Sequence, residues 1–256
     1  MATRGLLLDL QGVLYQDGKA YPGAAEAIEA LITQGLAVRF LTNTTTKPRR
    51  DIVEHMRGMG FAVTLPQVFT PACAAAKLLA KQGIKRVHLA APAAITEDFA
   101  DFTLVDDAPE AIVLGDLYTE FTWDRLDGLF QMIQGGARLI ALHKNRYCLR
   151  DGKLGLDLGP FVAALEYATR TQALVVGKPS LAFFLGAVQD MGLEPDQVLM
   201  VGDDIESDIG GALAAGLAAV QVKTGKYRLS DEEPAHAQPT ARIASIAELG
   251  EWLDEH

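Results

Sequence analysis

Short apolar runs alternate with segments of helical periodicity from one end of the chain to the other, and no other feature constrains the fold as much. A short apolar run between polar turns reads as a strand buried on both faces. An amphipathic segment between two such runs supplies the crossover that a parallel pair requires. The pattern predicts an α/β fold with a mainly parallel sheet. Strands are expected at residues 5–9, 37–42, 87–90, 111–114, 139–142 and 198–201, with a further apolar run beginning at Val175. Pro22 and Gly35 bracket a helix with Ile28, Leu31 and Ile32 on one face, and Pro48 and Gly60 bracket another carrying Ile52, Val53 and Met56. Thr70-Pro71 and Gly83 repeat that punctuation of proline at the start and glycine past the end. Helices are also expected over 180–191 and 244–253, and the polar stretch 230–238 reads as a surface loop.

Three of the strands end in polar clusters. Asp9 follows Leu6-Leu7-Leu8, Thr42-Asn43 follows Val38 to Leu41, and Gly202-Asp203-Asp204 follows Leu199 to Val201. In an open parallel sheet the carboxyl ends of the strands share one edge, and ligands bind in the crevice there. Segments far apart in the chain are therefore expected to converge, joined by the lysine of Gly177-Lys178-Pro179. Clustered carboxylates repel one another unless a cation sits among them, and hard oxygen donors without His or Cys select Mg²⁺. A lysine beside Mg²⁺ neutralises more of a phosphoryl charge, and Thr and Asn donors fix its oxygens. Asp9 is then placed to attack phosphorus and form an aspartyl-phosphate that water cleaves. A lone aspartate after a strand is often only a cap or a turn residue; the ordered set carries the reading.

Composition bounds the partners. With 33 acidic against 23 basic side chains the formal charge is -10, which opposes nucleic acid and anionic membrane surfaces. An anionic substrate would depend on local help from Mg²⁺ and Lys178. Cys73 and Cys148 show no metal or redox spacing and read as structural thiols in a reducing cytosol. Asp9 interrupts the N-terminal apolar run before it reaches the roughly 7–15 residues of a signal-peptide core. No run approaches the roughly 18 apolar residues of a transmembrane helix, so a cytoplasmic setting is expected. At 256 residues, one large α/β domain or two unequal domains are both admissible.

The set Asp9-Leu10-Gln11-Gly12-Val13-Leu14-Tyr15, Thr42-Asn43, Gly177-Lys178-Pro179 and Gly202-Asp203-Asp204 with Asp208 resembles the four ordered motifs of the haloacid dehalogenase superfamily. The long insertion between the second and third motifs is similar to the larger α/β cap of the subgroup (IIA) that contains phosphoglycolate and nitrophenyl phosphatases. Val201 to Ile205, Gly210-Gly211-Ala212, Thr224-Gly225-Lys226 and Leu156 to Pro160 further resemble the phospholysine phosphohistidine inorganic pyrophosphate phosphatases. The resemblance is weakest over residues 90–107. It implies a Rossmann-like three-layer α/β sandwich built from residues 1–70 and 175–256, with an α/β cap over 71–174 that closes on the strand ends and sets substrate choice.

The same resemblance implies the roles. Asp9 would be the nucleophile and, with Asp203 and the backbone carbonyl of Gln11, a Mg²⁺ ligand. Thr42, Asn43 and the Thr44 backbone would hold the phosphoryl oxygens, and Lys178 would bridge Asp9 and the phosphate. Asp204 and Asp208 would stand behind these, orienting Lys178 and metal-bound waters. Most phosphatases of the superfamily carry Asp where this chain has Gln11, and that Asp protonates the leaving group and later activates water. A carboxamide does neither. The expected function is a Mg²⁺-dependent phosphatase of a small phosphorylated molecule whose leaving group needs little protonation: a phosphoramidate, a pyrophosphate or an activated phosphomonoester. The alternative is a catalytically weak, phosphate-binding regulatory protein that has lost turnover with Gln11, and a third is a phosphotransferase to an acceptor other than water. Caps of this kind can pair, so a homodimer through the cap stays open.

Other residues have plainer readings. His55, His88, His143, His236 and His256 lack metal-ligand spacing. Tyr118, Phe121 and Trp123 read as cap core in preference to substrate pocket. The cluster His143-Lys144-Asn145-Arg146 is either a solvated turn or a contact for a substrate anion.

Overall fold

The computed structural model describes residues 3–150, 153–234 and 236–255. The chain forms two compact units, one of Met1–Thr42, Arg49–Phe69 and Lys178–His256, the other of Asn43–Pro48 and Thr70–Gly177. The divisions lie at 69/70 and 177/178, against the 70/71 and 174/175 expected, and residues 43–48 group with the second unit instead of the first.

Six parallel strands form the sheet of the first unit, in the order Val68–Phe69, Ala37–Leu41, Gly5–Asp9, Val198–Gly202, Ala218–Val222 and Ala241–Ile243. Counted along the chain this order is third, second, first, fourth, fifth, sixth, the doubly wound arrangement in which the winding reverses between two central strands. Those two are Gly5–Asp9 and Val198–Gly202, paired with Leu8 opposite Val201. Their carboxyl ends, Asp9 and Gly202, therefore flank the crevice where such sheets bind ligands.

Alternation along each strand divides the side chains between two helical layers. Leu6, Leu8, Val38, Phe40, Leu199, Val201, Val220 and Val222 join one buried cluster with Ile28 and Leu31 of helix Ala24–Thr33 and with Ile52, Val53 and Met56 of helix Arg49–Gly58. On the opposite face Arg39 reaches helix Leu181–Asp190, its Nε donating to Asp190 Oδ2 at 2.8 Å. Phe69 packs on Phe183 of that helix. Thus the first unit is an α/β/α sandwich on a parallel sheet. The expected closing helix is a short turn, Ile246–Glu248, running into helix Leu249–Glu255.

The second unit has a five-stranded parallel sheet in the order Leu174–Val175, Arg138–Ala141, Ala111–Leu114, Arg86–Ala90 and Thr103–Leu104. A separate two-stranded antiparallel sheet pairs Tyr147–Arg150 with Lys153–Leu156. Helices Trp123–Gln134 and Leu158–Thr169 cover its core through Leu129, Ile133, Val162 and Leu165. Thr70 opens helix Pro71–Lys81 by accepting from Cys73 N at 3.1 Å, with Pro71 in the first turn where its missing N–H costs nothing.

Tyr118 and Trp123 are exposed, so they are not part of this unit's core as expected; Phe121 alone packs there, stacked on Phe161 at 3.8 Å. Of the cluster 143–146, His143 is buried with its Nε2 3.7 Å from Asp157 Oδ1, whereas Lys144, Asn145 and Arg146 are exposed and Lys144 pairs with Glu166. Among the described residues, no helix is long and apolar enough to cross a membrane.

Candidate active site

Asp9, at the end of the central strand, is almost fully buried and its Oδ1 accepts from Lys178 Nζ at 2.5 Å. The same ammonium donates to Asp208 Oδ1 at 2.7 Å. Burial alone would drive the Lys178 pKa down, but the carboxylates of Asp208 and Asp9 hold it above the usual lysine range. Burial pushes the Asp9 carboxyl up to about 6, with Lys178 opposing and Asp208 reinforcing the rise. Lys178 is thus fixed as a cation between two carboxylates.

Asp203 begins the loop after the neighbouring central strand. Its Oδ2 accepts from the backbone N–H of Lys226 at 2.7 Å, while Oδ1 is buried with no hydrogen-bond partner among the described residues. Gly12 and Gly225, both in the left-handed region with φ of +86° and +63°, wall the carboxylate so closely that a Cβ on either would overlap Oδ2. Thr224 Oγ1 donates to the Gly12 carbonyl and ties the two walls together. Burial, then the charges of Asp9 and Asp208, push the Asp203 carboxyl up to about 7.

The chain turns after Asp204 through a π-helical segment, Ile205–Gly210, a distortion often found at functional sites. Asp204 Oδ1 caps that turn by accepting from Glu206 N and Ser207 N, and Oδ2 pairs with Lys226 Nζ at 3.0 Å. Burial works against the charged form, but these donors hold the Asp204 carboxyl below the usual range. One turn later Asp208 comes back beneath the strand end, its Oδ2 accepting from Asp204 N at 3.2 Å. Gly202 admits it: a Cβ there would stand 2.3 Å from Asp208 Cβ.

Of the residues singled out from sequence, Asp9, Lys178, Asp203 and Asp208 come together. Asp208 accepts from Lys178, and Asp204 pairs with Lys226 and caps the turn that follows it. Thr42 is buried and directly follows Leu41, the register partner of Asp9. Asn43 and Thr44 belong to the second unit, where Asn43 Oδ1 lies 3.0 Å from where a Gly177 Cβ would stand. Gln11 is exposed on the loop after Asp9, in a bridge to Tyr15. Lys226 had no assigned role, although Thr224-Gly225-Lys226 stood out as a motif; it binds Asp203 through its main-chain N–H, which side-chain chemistry does not announce, and Asp204 through its ammonium.

Carboxylate oxygens of Asp9, Asp203 and Asp208 lie within 4.8 Å of one another. Three carboxylates against one ammonium leave an excess negative charge in a buried space. An oxygen-only donor set with one buried oxygen unsatisfied fits a hard divalent cation such as Mg²⁺. Both oxygens of Asp208 are already bonded, so Asp9 and Asp203 are the natural ligands.

Residues 6–104 match the haloacid dehalogenase-like hydrolase family model and residues 175–249 match a second, HAD-hydrolase-like model. The chain is 40% identical over 255 residues to haloacid dehalogenase-like hydrolase domain-containing protein 2 of Pongo abelii, covering 100% of this chain and 97% of that protein. It is also 40% identical over 239 residues to phospholysine phosphohistidine inorganic pyrophosphate phosphatase of Danio rerio, covering 90% of this chain and 87% of that one. The solved structure of NagD from E. coli superposes with a TM-score of 0.86 at 27% identity, over 97% of this chain and 98% of that one. The carboxylate and lysine cluster at the point where the sheet's winding reverses, the two family-model matches and the 40% identity over the whole chain carry one conclusion: the chain belongs to the haloacid dehalogenase-like hydrolase family.

Proposed function

We propose that the protein is a Mg²⁺-dependent phosphatase that hydrolyses a small phosphorylated molecule through an aspartyl-phosphate at Asp9. In this reading residues 1–70 and 175–256 are the catalytic core and 71–174 the cap that selects the substrate. The observation that carries it is the Lys178 ammonium clamped between Asp9 and Asp208 beside the unsatisfied oxygen of Asp203. Asp9, Asp203 and the Gln11 carbonyl would hold Mg²⁺, which when bound supplies positive charge to the phosphoryl oxygens.

Asp9 attacks phosphorus, and the bond from phosphorus to the leaving group breaks with its electron pair going to the leaving group. Lys178 sits at the Asp9 oxygen where charge is redistributed, and Thr42, Asn43 and the Thr44 backbone hold the phosphoryl oxygens. Water then attacks the phosphorus of the aspartyl-phosphate, releasing inorganic phosphate and regenerating the Asp9 carboxylate. Asp208 keeps Lys178 charged and aimed, and Asp204 sets the turn that delivers Asp208. Gln11 provides no acid or base, so the leaving group takes its proton from solvent. This favours phosphoramidate, pyrophosphate or aryl phosphate, and the pyrophosphate and phosphoamino-acid names of the Danio rerio relative agree with it.

A second reading, a phosphate-binding regulator without turnover, rests on Gln11 alone. Steady-state phosphate release from p-nitrophenyl phosphate separates the two. The phosphatase reading expects Mg²⁺-dependent turnover that disappears in Asp9→Asn and with chelator. Binding without turnover in the wild type would establish the regulator.

A further inference from the structure

Gln221 lies in the strand Ala218–Val222 and is completely buried on the face opposite Val220 and Val222. A buried carboxamide must satisfy its donors and its acceptor. Here Nε2 donates to the Asp203 carbonyl at 3.3 Å and to Asp231 Oδ2 at 3.0 Å, while Oε1 accepts from Arg242 Nε at 3.0 Å. Asp231 Oδ2 also accepts from Arg228 N, and the Asp231 carbonyl accepts from Arg242 Nη2 at 2.9 Å. The network therefore closes on itself within the first unit. It also spans the segment that grips Asp203 from its other side: Gly225 walls the Asp203 carboxylate and Lys226 N–H binds Oδ2, and this stretch is tied down at Asp231.

We infer that Gln221 is a positioning residue for Asp203, fixing its main chain directly and its side chain through the loop anchored at Asp231, so that Oδ1 is presented to a divalent cation. The inference rests on the metal reading above and adds a residue that touches neither metal nor substrate. Groups that orient a ligand from behind typically contribute about 10- to 100-fold in metal affinity. No apolar side chain reproduces the donor to the Asp203 carbonyl, and Glu at 221 would lose that donor and set a second carboxylate against Asp231.

The test is a Mn²⁺ titration of the full chain without substrate, followed by electron paramagnetic resonance, on wild type, Gln221→Met, Gln221→Glu, Gln221→Glu/Asp231→Asn and Arg39→Leu. Both single changes at 221 are expected to raise the Mn²⁺ dissociation constant at least about tenfold, and either suffices if the other does not fold. The double change repairs the clash with Asp231 but not the donor to Asp203, so it is expected to stay weak. Arg39→Leu breaks the ion pair with Asp190 on the same face of the sheet; it is expected to lower Tm and leave the Mn²⁺ affinity within twofold. With saturating Mn²⁺ the KM for p-nitrophenyl phosphate in Gln221→Met should stay near the wild-type value. Wild-type affinity in the 221 variants, full recovery in the double variant, or an equal loss in Arg39→Leu would overturn this inference alone. A folded wild type that binds no Mn²⁺ would overturn the metal reading and this inference with it.

Discussion

Asp203 concentrates the electrostatic cost of the site in one residue. Its ordinary pKa of 3.8 rises to about 7 on folding, so the metal-free folded chain resists ionising it. Below pH 3.8 the group is protonated whether folded or not and carries no penalty. As pH climbs through the window to about 7 the unfolded state gives up its proton first, and stability is lost. Metal-free Asp203→Asn should therefore match metal-free wild type near pH 4 and exceed it in Tm near pH 8. For a chain of this size each kcal/mol recovered is worth about 2–4 °C. Mg²⁺ should reverse the order at pH 8, because only the carboxylate gains from the cation. Thermal scans at the two pH values check this, and a Tm difference independent of pH would contradict it. Gln11 makes the complementary claim about chemistry. Gln11→Asp should raise turnover of an alkyl phosphate more than that of p-nitrophenyl phosphate, since general acid catalysis worth about 10²- to 10⁴-fold matters most for the poorer leaving group. Equal gains on both substrates would show that position 11 does not govern leaving-group protonation.

At the scale of elements, the strand Val198–Gly202 and the π-helical turn after it act as one device. Gly202 is needed for close approach, since any Cβ there meets Asp208. Gly202→Ala should cost about 1–3 kcal/mol of stability by overpacking and, by displacing Asp208 from Lys178, most of the activity; denaturant unfolding and phosphate release measure the two. Normal activity in a destabilised variant would mean that Lys178 does not depend on Asp208. The strand ends and their convergence were legible in the sequence, because apolar runs that stop at Asp9 and Gly202-Asp203 are local signals. What acts through the main chain or through long-range pairing was not. Lys226 reaches Asp203 by its main-chain N–H, and Gln221 hides in a strand whose other residues are all apolar. The stretch 230–238 reads as a surface loop, yet Asp231 is buried because Gln221 and Arg242, distant in sequence, give it partners. Likewise, residues 43–48 follow a strand of the first unit but group with the second, which only tertiary contacts decide.

For the whole molecule, the net charge of -10 is less informative than its local arrangement. Most acidic side chains face water, whereas Asp9, Asp203 and Asp208 are held inside against the one ammonium of Lys178. A protein can sustain that arrangement when a cation and a phosphoryl group complete it, and the doubly wound sheet places it where such sheets bind ligands. The central claim is the covalent one, that Asp9 is phosphorylated during turnover. Rapid quenching of enzyme, Mg²⁺ and p-nitrophenyl phosphate into borohydride reduces an aspartyl-phosphate to homoserine, which peptide mass spectrometry locates. Homoserine at position 9, absent without Mg²⁺ and in Asp9→Asn, is the predicted result; steady turnover with no modification at Asp9, or with modification at another residue, would contradict the account.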